Sequence, residues 1–491
     1  MWNPNTLKSE RRKDKATSAK IAEEPKAVAE KSIEFRTEFE KDYDRLLFST
    51  PVRRLADKTQ VFPLDPNDSV RTRLTHSHEV ANLAKSIGQA LISKGVFVGG
   101  KDREIIPILS AIGLAHDLGN PPFGHQGENS IQAWFKERKV LEVPELDSSK
   151  NDFLLFDGNA QTFRLITKLQ ILNNEFGLNL TYETLAALLK YTVPSDQRND
   201  KKASTKKHGF FKSEESIAKE VLEEVGLTFG GRHPLTFIME ACDDIAYSIM
   251  DVEDSVKKGL VSFSDVIADL QHAADGDSVI EKVSESAQKD HRKYRSEPSV
   301  TPSELNDISM QMFRVHSIAA MVLAVVETFE INKDAIFKQE FTDSLIKKSS
   351  AAKLCKQLKH FAFVRAYKHP TVTELELKGH NTLHDLMDML WAGIVNRKDG
   401  EPLDSERTDP FSEFSFSCIS ENYKRVFLNK TNTMPTRYKE AQLLTDMISG
   451  MTDSYAIKLH QKLRGLLHPN GYTSYDPVNR TIVSKKTQEQ K

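Results

Sequence analysis

The sequence predicts an all-α protein, and three observations support that fold class. Glycine and proline are scarce, with 22 and 19 among 491 residues, which disfavours folds built from many tight turns. Apolar residues recur every three or four positions over long segments, for example at Val80, Leu83, Ala84 and Ile87. A chain of this length with 39% apolar residues can bury a large core, and its length allows two or three domains.

The charge and cysteine content exclude several other classes of protein. Acidic and basic side chains nearly balance, at a formal net charge of -2, so there is no overall signature of nucleic-acid binding. Three scattered cysteines, Cys242, Cys355 and Cys418, are too few for a disulfide framework or a thiolate metal site. The N-terminus is polar, and the longest apolar runs, near 105–115 and 318–326, fall short of the ~20 residues that span a bilayer. We therefore expect no membrane segment and a cytoplasmic location.

Composition and periodicity divide the chain into five segments. Residues 1–34 are rich in Lys, Glu, Ser and Ala and are predicted to form a flexible charged arm. Residues 35–270 are expected to form the helical core. Residues 271–309 are polar and poorly periodic, which indicates a linker or an excursion. Residues 310–476 are helical again and are expected to pack on the core, and 477–491 resemble a tail.

Each helix of the core is predicted from its apolar stripe and its stop signals. Residues 35–54 are amphipathic, and the next strong stripe belongs to a helix with His76 in its first turn. Two shorter helices are predicted at 156–170 and 180–191, the second followed by a proline. A long helix over 234–258 completes the core.

The stretch 113–128, GLAHDLGNPPFGHQGE, is the centre of the functional prediction. An apolar run before it reads as a buried helix, so the adjacent His116 and Asp117 lie in the last turn of a core helix. Gly119 is suited to a left-handed helix end, and Pro121 with its proline neighbour prevents continuation. A buried carboxylate at this place needs a partner, and a metal ion is the obvious one.

A second carboxylate comes from the helix over 234–258. Asp243, Tyr247 and Asp251 are spaced by four residues and share one face, whereas Asp244 points about 100° away. With His76 and the His-Asp pair, Asp243 completes a set of two imidazoles and two carboxylates. Such nitrogen and oxygen donors suit Mn²⁺, Fe²⁺, Mg²⁺ or Zn²⁺ and leave positions for water and substrate.

Further residues near this set are suited to catalysis and to phosphate binding. His125 and Glu128 are three residues apart where a new helix begins, so the carboxylate can orient or polarise the imidazole. Arg73, Lys190 and Lys207 carry donors that suit phosphate oxygens.

Five motifs, in this order, carry a resemblance to a known family: RTRLTHS, HDLGNPPFGHQGE, FDGNAQTFR, LTYETLAALLKY and DDIAYSIMD. The chain resembles the HD-domain deoxynucleoside triphosphate triphosphohydrolases of the dGTPase type. The resemblance covers residues 53–260, with a weaker similarity in GMTDSYAIKLHQKL at 450–463. It implies an HD-type metal-dependent catalytic core, here over 35–270, elaborated by a C-terminal helical region.

The resemblance also assigns roles to individual residues. The implied metal ligands are His76, His116, Asp117 and Asp243. The implied catalytic pair is His125 and Glu128. The residues expected to line the nucleotide pocket are Gln60, Val61, Arg73, Lys190, Tyr191, Lys207, Tyr247 and Asp251.

The family reaction is hydrolysis at the α-phosphorus, which yields a deoxynucleoside and inorganic triphosphate. A divalent cofactor is implied, with Mg²⁺ or Mn²⁺ expected and Fe²⁺ or Zn²⁺ as alternatives. The resemblance further implies that the Tyr247 ring lies beneath the sugar and that the Asp251 carboxylate accepts from the 3′-hydroxyl, which would give a preference for deoxyribose. One departure is His78, where an apolar residue is expected in relatives, and it is assigned to the surface or to an outer layer of the site.

Partners and alternative functions also follow. The resemblance implies a homo-oligomer, a hexamer or a tetramer. One alternative is another HD-type phosphohydrolase, acting on cyclic nucleotides or guanosine tetraphosphate, with the same metal set. Another is a broad-specificity enzyme whose lysines between residues 347 and 360 meet single-stranded DNA or an effector nucleotide, although a solvated helix face explains them more simply.

Overall fold

The computed structural model describes residues 3, 6–15, 35–62, 70–97, 101–170 and 176–467, and the backbone of 473–476 and 481–484. It confirms the all-α class, because helices and their connections make up the described chain apart from one hairpin. The α-helices of the first half are α1 Glu38–Leu47, α2 Thr50–Arg54, α3 Arg73–Ser93, α4 Asp102–Ala115, α5 Gly124–Arg138, α6 Asn151–Leu154, α7 Gly158–Arg164, α8 Tyr182–Leu188, α9 Glu215–Glu224 and α10 Pro234–Lys257.

The second half of the described chain is also mainly helical. Its helices are α11 Phe263–Ala274, α12 Ser278–Arg295, α13 Pro302–Phe337, α14 Leu345–Lys348, α15 Ala352–Ala362, α16 Pro370–Val395, α17 Pro410–Ser417, α18 Glu421–Leu428, α19 Thr436–Ser449 and α20 Asp453–Leu466. The hairpin pairs β1 Thr473–Asp476 with β2 Thr481–Ser484 in antiparallel register. A π-helical turn, Phe363–Tyr367, joins α15 to α16.

Helices α3, α4 and α10 form the centre of the fold. The stripe predicted on α3 is buried, with Val80, Ala84 and Ile87 fully covered. Helix α10 buries Ile245 and Ile249 in the same core, and it packs against α3 on one side and α13 on another. This packing brings the start of α3, the end of α4 and the middle of α10 together.

Residues 271–309, predicted to be a linker or excursion, contain the helix α12 and the beginning of α13. Asp277 begins α12 by accepting hydrogen bonds from the backbone of Val279 and Ile280. Ile280, Val283 and Ala287 are buried and face α13. Because this narrow stripe is diluted by many charged residues, the helical period was weak in the sequence.

Helix α13 is the longest element of the described chain. By length and composition alone it is the one described helix that could cross a membrane, although 44% of its most apolar window is buried inside the protein. It packs against α10 and α12, which is the environment of a core helix.

The predicted arm and tail are only partly described. Arg11 is 3% exposed, its guanidinium lies 2.7 Å from Glu38, and it also pairs with Asp42. The part of the arm at 6–15 is therefore anchored to the core, while residues 16–34 lie outside the described residues. In the predicted tail, residues 481–484 form the strand β2, and the others lie outside the described residues.

The C-terminal helices share the core of the N-terminal ones. Most buried apolar side chains of the described chain form one continuous cluster that extends from Phe39 to Leu463. Helix α16 contacts α5 as well as α19 and α20, so the helix that follows the His-Asp turn is covered by the C-terminal region.

Candidate active site

The His-Asp turn is fixed by its contact with α7. Helix α4 ends at Ala115, and His116 follows as its last cap residue. Gly119, predicted to adopt a left-handed conformation, is not among the residues with positive φ, so that expectation is wrong. Glycine is needed here because the backbone of Gly119 approaches that of α7 closely. A Cβ atom at this position would lie 2.2 Å from the backbone nitrogen of Thr162.

Three side chains from separate helices converge into a candidate metal centre. The Nε2 atoms of His76 and His116 lie 3.4 and 3.6 Å from Oδ1 of Asp243. Their ligand atoms all lie within 4.8 Å of one another. Both Nε2 atoms are buried without a hydrogen-bond partner among the described residues. An orphaned pair of imidazole nitrogens beside a carboxylate fits a divalent cation.

The charge and tautomer of His116 agree with such a centre. Its Nδ1 atom lies 2.7 Å from the carbonyl oxygen of Gly113, so Nδ1 carries a proton and Nε2 faces the cluster. Burial lowers the pKa of His116, but Asp117 and Asp243 more than offset it and raise the pKa to about 9. The site therefore attracts positive charge.

Asp117, predicted as the fourth ligand, lies at the edge of this cluster. Its Oδ1 atom is 3.6 Å from Nε2 of His116 and accepts a 2.8 Å hydrogen bond from Asn120. Its other oxygen is paired with Arg73. Burial raises the pKa of Asp117, yet Arg73 and the histidines bring it down to about 2. Its role as a ligand remains a prediction.

A cavity of about 300 Å³ opens beside the cluster. The predicted site residues that line it are Gln60, Arg73, His116, Asp117, His125, Glu128, Lys190, Tyr191, Lys207, Asp243 and Tyr247. His76 lies behind this wall and is 1% exposed. The segments that the sequence separates by up to 187 residues, from 60 to 247, thus surround one space.

Two lysines on the wall are held by carboxylates. Lys190 Nζ lies 3.2 Å from Oδ2 of Asp243, and Lys207 Nζ lies 2.6 Å from Oδ2 of Asp157. Burial lowers the pKa of Lys190, but Asp243 raises it well above its ordinary value, so the lysine stays charged. The wall therefore presents cations next to the candidate metal centre.

The pair His125 and Glu128 stands at the mouth of the cavity. Nδ1 of His125 lies 3.6 Å from Oε2 of Glu128, and the His125 side chain is 71% exposed. The backbone N–H of Gly158 donates a 2.7 Å hydrogen bond to Oε1 of Glu128. Glu128 is therefore fixed by α7, and it raises the pKa of His125 above its ordinary value.

Val61 and Asp251 do not line the cavity as predicted. Val61 packs beside the small apolar cluster of Phe62, Ala366 and Val372. Asp251 is 2% exposed and accepts a hydrogen bond from the hydroxyl of Tyr367. Both side chains therefore contact residues of the segment 366–372 and are not among those that line the cavity.

Several lining residues were missed by the sequence reasoning. They are Asn120, Asn159, Met239, Asp244 and Lys359. Lys359 pairs with Asp244, and its Nζ atom lies 5.8 Å from the ring centre of Tyr247. The ring of Tyr367 is 6.2 Å from that of Tyr247. The periodic lysines of α15 are the sequence signal for Lys359, and their pattern predicts a solvent-exposed or nucleic-acid-binding face.

The helical fold and its histidine–aspartate cluster define an HD-type protein. The chain is 35% identical over 473 residues to a deoxyguanosinetriphosphate triphosphohydrolase-like protein of Listeria monocytogenes, covering 92% of this chain and 99% of that protein. It belongs to the deoxyguanosinetriphosphate triphosphohydrolase family. A like-named protein of Synechocystis is 35% identical over 456 residues, covering 88% of this chain and 94% of that protein. A deoxyguanosinetriphosphate triphosphohydrolase of Yersinia pseudotuberculosis is 32% identical over 492 aligned positions, covering 89% and 95%. None of the protein-family models matches the chain.

Proposed function

We propose that this protein is a metal-dependent phosphohydrolase that converts deoxynucleoside triphosphates, with dGTP favoured, into the deoxynucleoside and inorganic triphosphate. The observation that supports this most strongly is the meeting of the histidine–aspartate cluster, the lysines and the His125–Glu128 pair around one cavity. Relatives that cover nearly the whole chain are called deoxyguanosinetriphosphate triphosphohydrolases, which makes dGTP the first substrate to test.

The residues proposed to hold a divalent cation are His76, His116, Asp117 and Asp243. The donor set contains nitrogen and oxygen but no thiolate, which suits Mg²⁺ or Mn²⁺ and also Fe²⁺ or Zn²⁺. When bound, such an ion polarises a phosphoryl oxygen and holds the attacking water.

The lysines around the cavity supply counter-charge for a polyphosphate. Lys190 and Lys359 border both this cavity and a second one of about 480 Å³. The second cavity also contains Lys201, Lys206 and Lys347. Four carboxylates, Asp200, Glu240, Asp244 and Asp343, line the second cavity as well. A triphosphate that extends from the cluster into the second cavity is proposed to be held through its oxygens by the five lysines.

His125 is proposed to act on the proton of the leaving 5′-oxygen. A protonated leaving group departs far more readily than an alkoxide, and such acid catalysis contributes ~10²–10⁴-fold. Because Glu128 raises the pKa of His125, more of the imidazole is protonated near neutral pH. A role as base or orienter for the water uses the same contact, and the pH profile distinguishes the two.

The sugar and base are proposed to rest near Tyr247, with Tyr367 and Asp251 behind it. The Tyr247 ring offers an apolar surface for the deoxyribose, and the Tyr367–Asp251 pair fixes the polar groups next to it. Nearby, Oε1 of Gln60 and Nε of Arg73 are buried without a hydrogen-bond partner in the described part of the chain. Buried polar atoms of this kind are suited to a polar ligand.

Turnover assays test the proposal directly. Each of the four deoxynucleoside triphosphates and GTP is incubated with Mg²⁺, with Mn²⁺ and with a chelator. We expect hydrolysis of dGTP only when metal is present. Hydrolysis of a cyclic nucleotide or guanosine tetraphosphate without any of dGTP would instead identify another HD-type phosphohydrolase.

Partners are proposed from the family alone. Assembly into a hexamer or tetramer is a proposal that rests on the resemblance, and a cytoplasmic location is one that rests on the cysteine content and the charge pattern. The lysines between residues 347 and 360 support DNA binding less than their sequence suggests. Lys353 donates a 2.7 Å hydrogen bond to the carbonyl oxygen of Ala274, and Lys359 pairs with Asp244 in the cavity. This run is therefore not a free basic face.

A further inference from the structure

The motif GMTDSYAIKLHQKL at 450–463 has no role in the site described so far, yet it touches that site. Helix α19 ends at Ser449, and α20 begins at Asp453 after a short turn. Asp453 is 2% exposed although it carries a carboxylate. A buried carboxylate requires strong hydrogen bonds, and all of those found for Asp453 lead to segments that border the cavity.

Asp453 binds two segments at once. Its Oδ1 atom accepts a 3.0 Å hydrogen bond from the backbone N–H of Phe123. Its Oδ2 atom accepts a 3.0 Å hydrogen bond from the backbone N–H of Thr59 and another from the Thr59 hydroxyl. Thr59 precedes Gln60, which lines the cavity, and Phe123 lies two residues before His125.

Lys58 strengthens the same junction. Its Nζ atom donates hydrogen bonds to the carbonyl oxygens of Ser449 and Asn120, at 2.7 and 2.5 Å. The buried amino group of Lys58 therefore joins the end of α19 to the His-Asp turn at Asn120, three residues before the Phe123 that Asp453 holds. Two independent contacts thus bind the C-terminal region to this turn.

The segment held by Asp453 has an unusual backbone. Phe123 has a φ of 62°, which side chains with a Cβ rarely adopt, and Gly124 follows with the same value. A conformation of this kind persists only where the surroundings fix it. The Phe123 ring also meets α16, where a Cβ on Gly379 would lie 2.8 Å from Cγ of Phe123. Phe123 and Gly124 therefore set the direction of α5, and His125 lies at the beginning of that helix.

We propose that Asp453 is a positioning residue, which fixes the backbone of Phe123 and thereby holds His125 in its reactive place at the cavity. This rests on the proposed function, because it concerns the rate of that reaction. The carboxylate touches no substrate, and it acts through the start of α5. Displacement of a reacting group by about 1 Å costs on the order of a hundredfold in rate, so the effect is large enough to measure.

Asp453→Asn tests the proposal with nearly unchanged volume. An amide has only one accepting oxygen, so one of the two segments loses its partner. We expect kcat for dGTP to fall by about a hundredfold, with bound metal and substrate KM close to the wild-type values. A wild-type kcat in this variant would overturn the proposal.

Asp42→Asn is the matched control. Asp42 is also buried, and it accepts hydrogen bonds from the backbone N–H and hydroxyl of Thr181. The contacts of Asp42 with Thr181 repeat those of Asp453 with Thr59, and Asp42 also pairs with Arg11, but none of these residues lines the cavity. We expect Asp42→Asn to lower Tm without changing kcat of the folded enzyme. An equal loss of kcat in both variants would mean that general destabilisation, and not positioning, explains Asp453.

A double-mutant cycle identifies the residue through which Asp453 acts. If it acts through His125, Asp453→Asn lowers kcat by less than about threefold in an enzyme that already carries His125→Ala. A hundredfold loss in both backgrounds would contradict the proposal. Should Asp453→Asn fail to fold, Gly379→Ala presses on the Phe123 ring from the other side, and the same cycle applies. If the wild-type enzyme releases no triphosphate from dGTP, the proposed function is refuted. That result differs from a wild-type kcat in Asp453→Asn, which refutes only the positioning role.

Discussion

The Nε2 atom of His76 lies 3.4 Å from the Oδ1 atom of Asp243. The two residues belong to α3 and α10. The Nε2 atom of His76 is buried without a hydrogen-bond partner among the described residues, so the nearby carboxylate and a shared cation are the groups that suit it. Asp243 also holds Lys190, at 3.2 Å. The Asp243 carboxylate therefore joins the candidate metal centre to Lys190, one of the lysines proposed to bind the polyphosphate.

Asp243→Ala should remove most of the bound metal and abolish turnover. The variant loses a metal ligand, and Lys190 loses its carboxylate partner. The unpaired positive charge of Lys190 then repels a metal cation. Asp244→Ala is the control, because Asp244 pairs with Lys359 and lies outside the three-residue cluster. Elemental analysis of the purified proteins measures both. Full metal occupancy in Asp243→Ala would contradict the assignment, and Asp117→Ala in the same series tests the fourth ligand.

His125→Ala should retain metal and bind dGTP, while kcat falls by ~10²–10⁴-fold. If His125 is the acid, kcat decreases as pH rises through its pKa. Glu128→Gln removes the contact that raises this pKa, so the decreasing limb should move to lower pH. Steady-state rates measured between pH 5 and 9 show the limb. A profile that is identical in wild type and Glu128→Gln would exclude this role for the pair.

Tyr367→Phe should weaken the preference for deoxyribose. The variant leaves the buried Asp251 carboxyl without its tyrosine donor and loosens the layer behind Tyr247. The ratio of kcat/KM for dGTP over GTP should decrease by about tenfold. Tyr438→Phe is the matched control, because its hydroxyl donates to the buried Asp152 at 2.5 Å, away from the cavity. Equal turnover of GTP and dGTP by the wild type would refute the predicted preference.

His208 should make the protein less stable in mild acid. Its ring is fully buried, and neither nitrogen has a hydrogen-bond partner in the described structure. Burial lowers its pKa from 6.5 to about 4, so the unfolded state binds a proton first as pH falls. Its contribution to stability is present above pH 6.5 and is lost progressively towards pH 4, at roughly 1.4 kcal/mol per pH unit. Urea unfolding gives the free energy of unfolding at pH 7 and at pH 5. Its decrease between these pH values should be smaller for His208→Gln than for wild type. An equal loss in both proteins would show that His208 does not contribute.

The sequence predicted those parts of the site that are carried by strong local patterns. The stripes of α3 and α10 and the proline stop after the His-Asp pair determine where His76, His116 and Asp243 can lie. Periodicity and spacing place each histidine or aspartate on its own helix. The expectation that the three side chains meet is what the resemblance to the family implies.

The remaining parts depend on contacts that spacing does not encode. Tyr367 comes from a π-helical turn more than a hundred residues after Asp251 and donates a hydrogen bond to its carboxyl. Lys359 reaches the site in the same way, because its partner Asp244 lies on another helix. Helix α12 escaped prediction for a different reason, since its buried stripe is narrow and its other faces are charged.

The products formed from dGTP test the central claim most directly. Phosphorus NMR of a reaction with Mn²⁺, with a chelated sample as the control, distinguishes inorganic triphosphate from pyrophosphate and from phosphate. We predict deoxyguanosine and inorganic triphosphate in equal amounts and no product in the chelated sample. Formation of dGMP with pyrophosphate, or of dGDP with phosphate, would contradict the proposed site of cleavage.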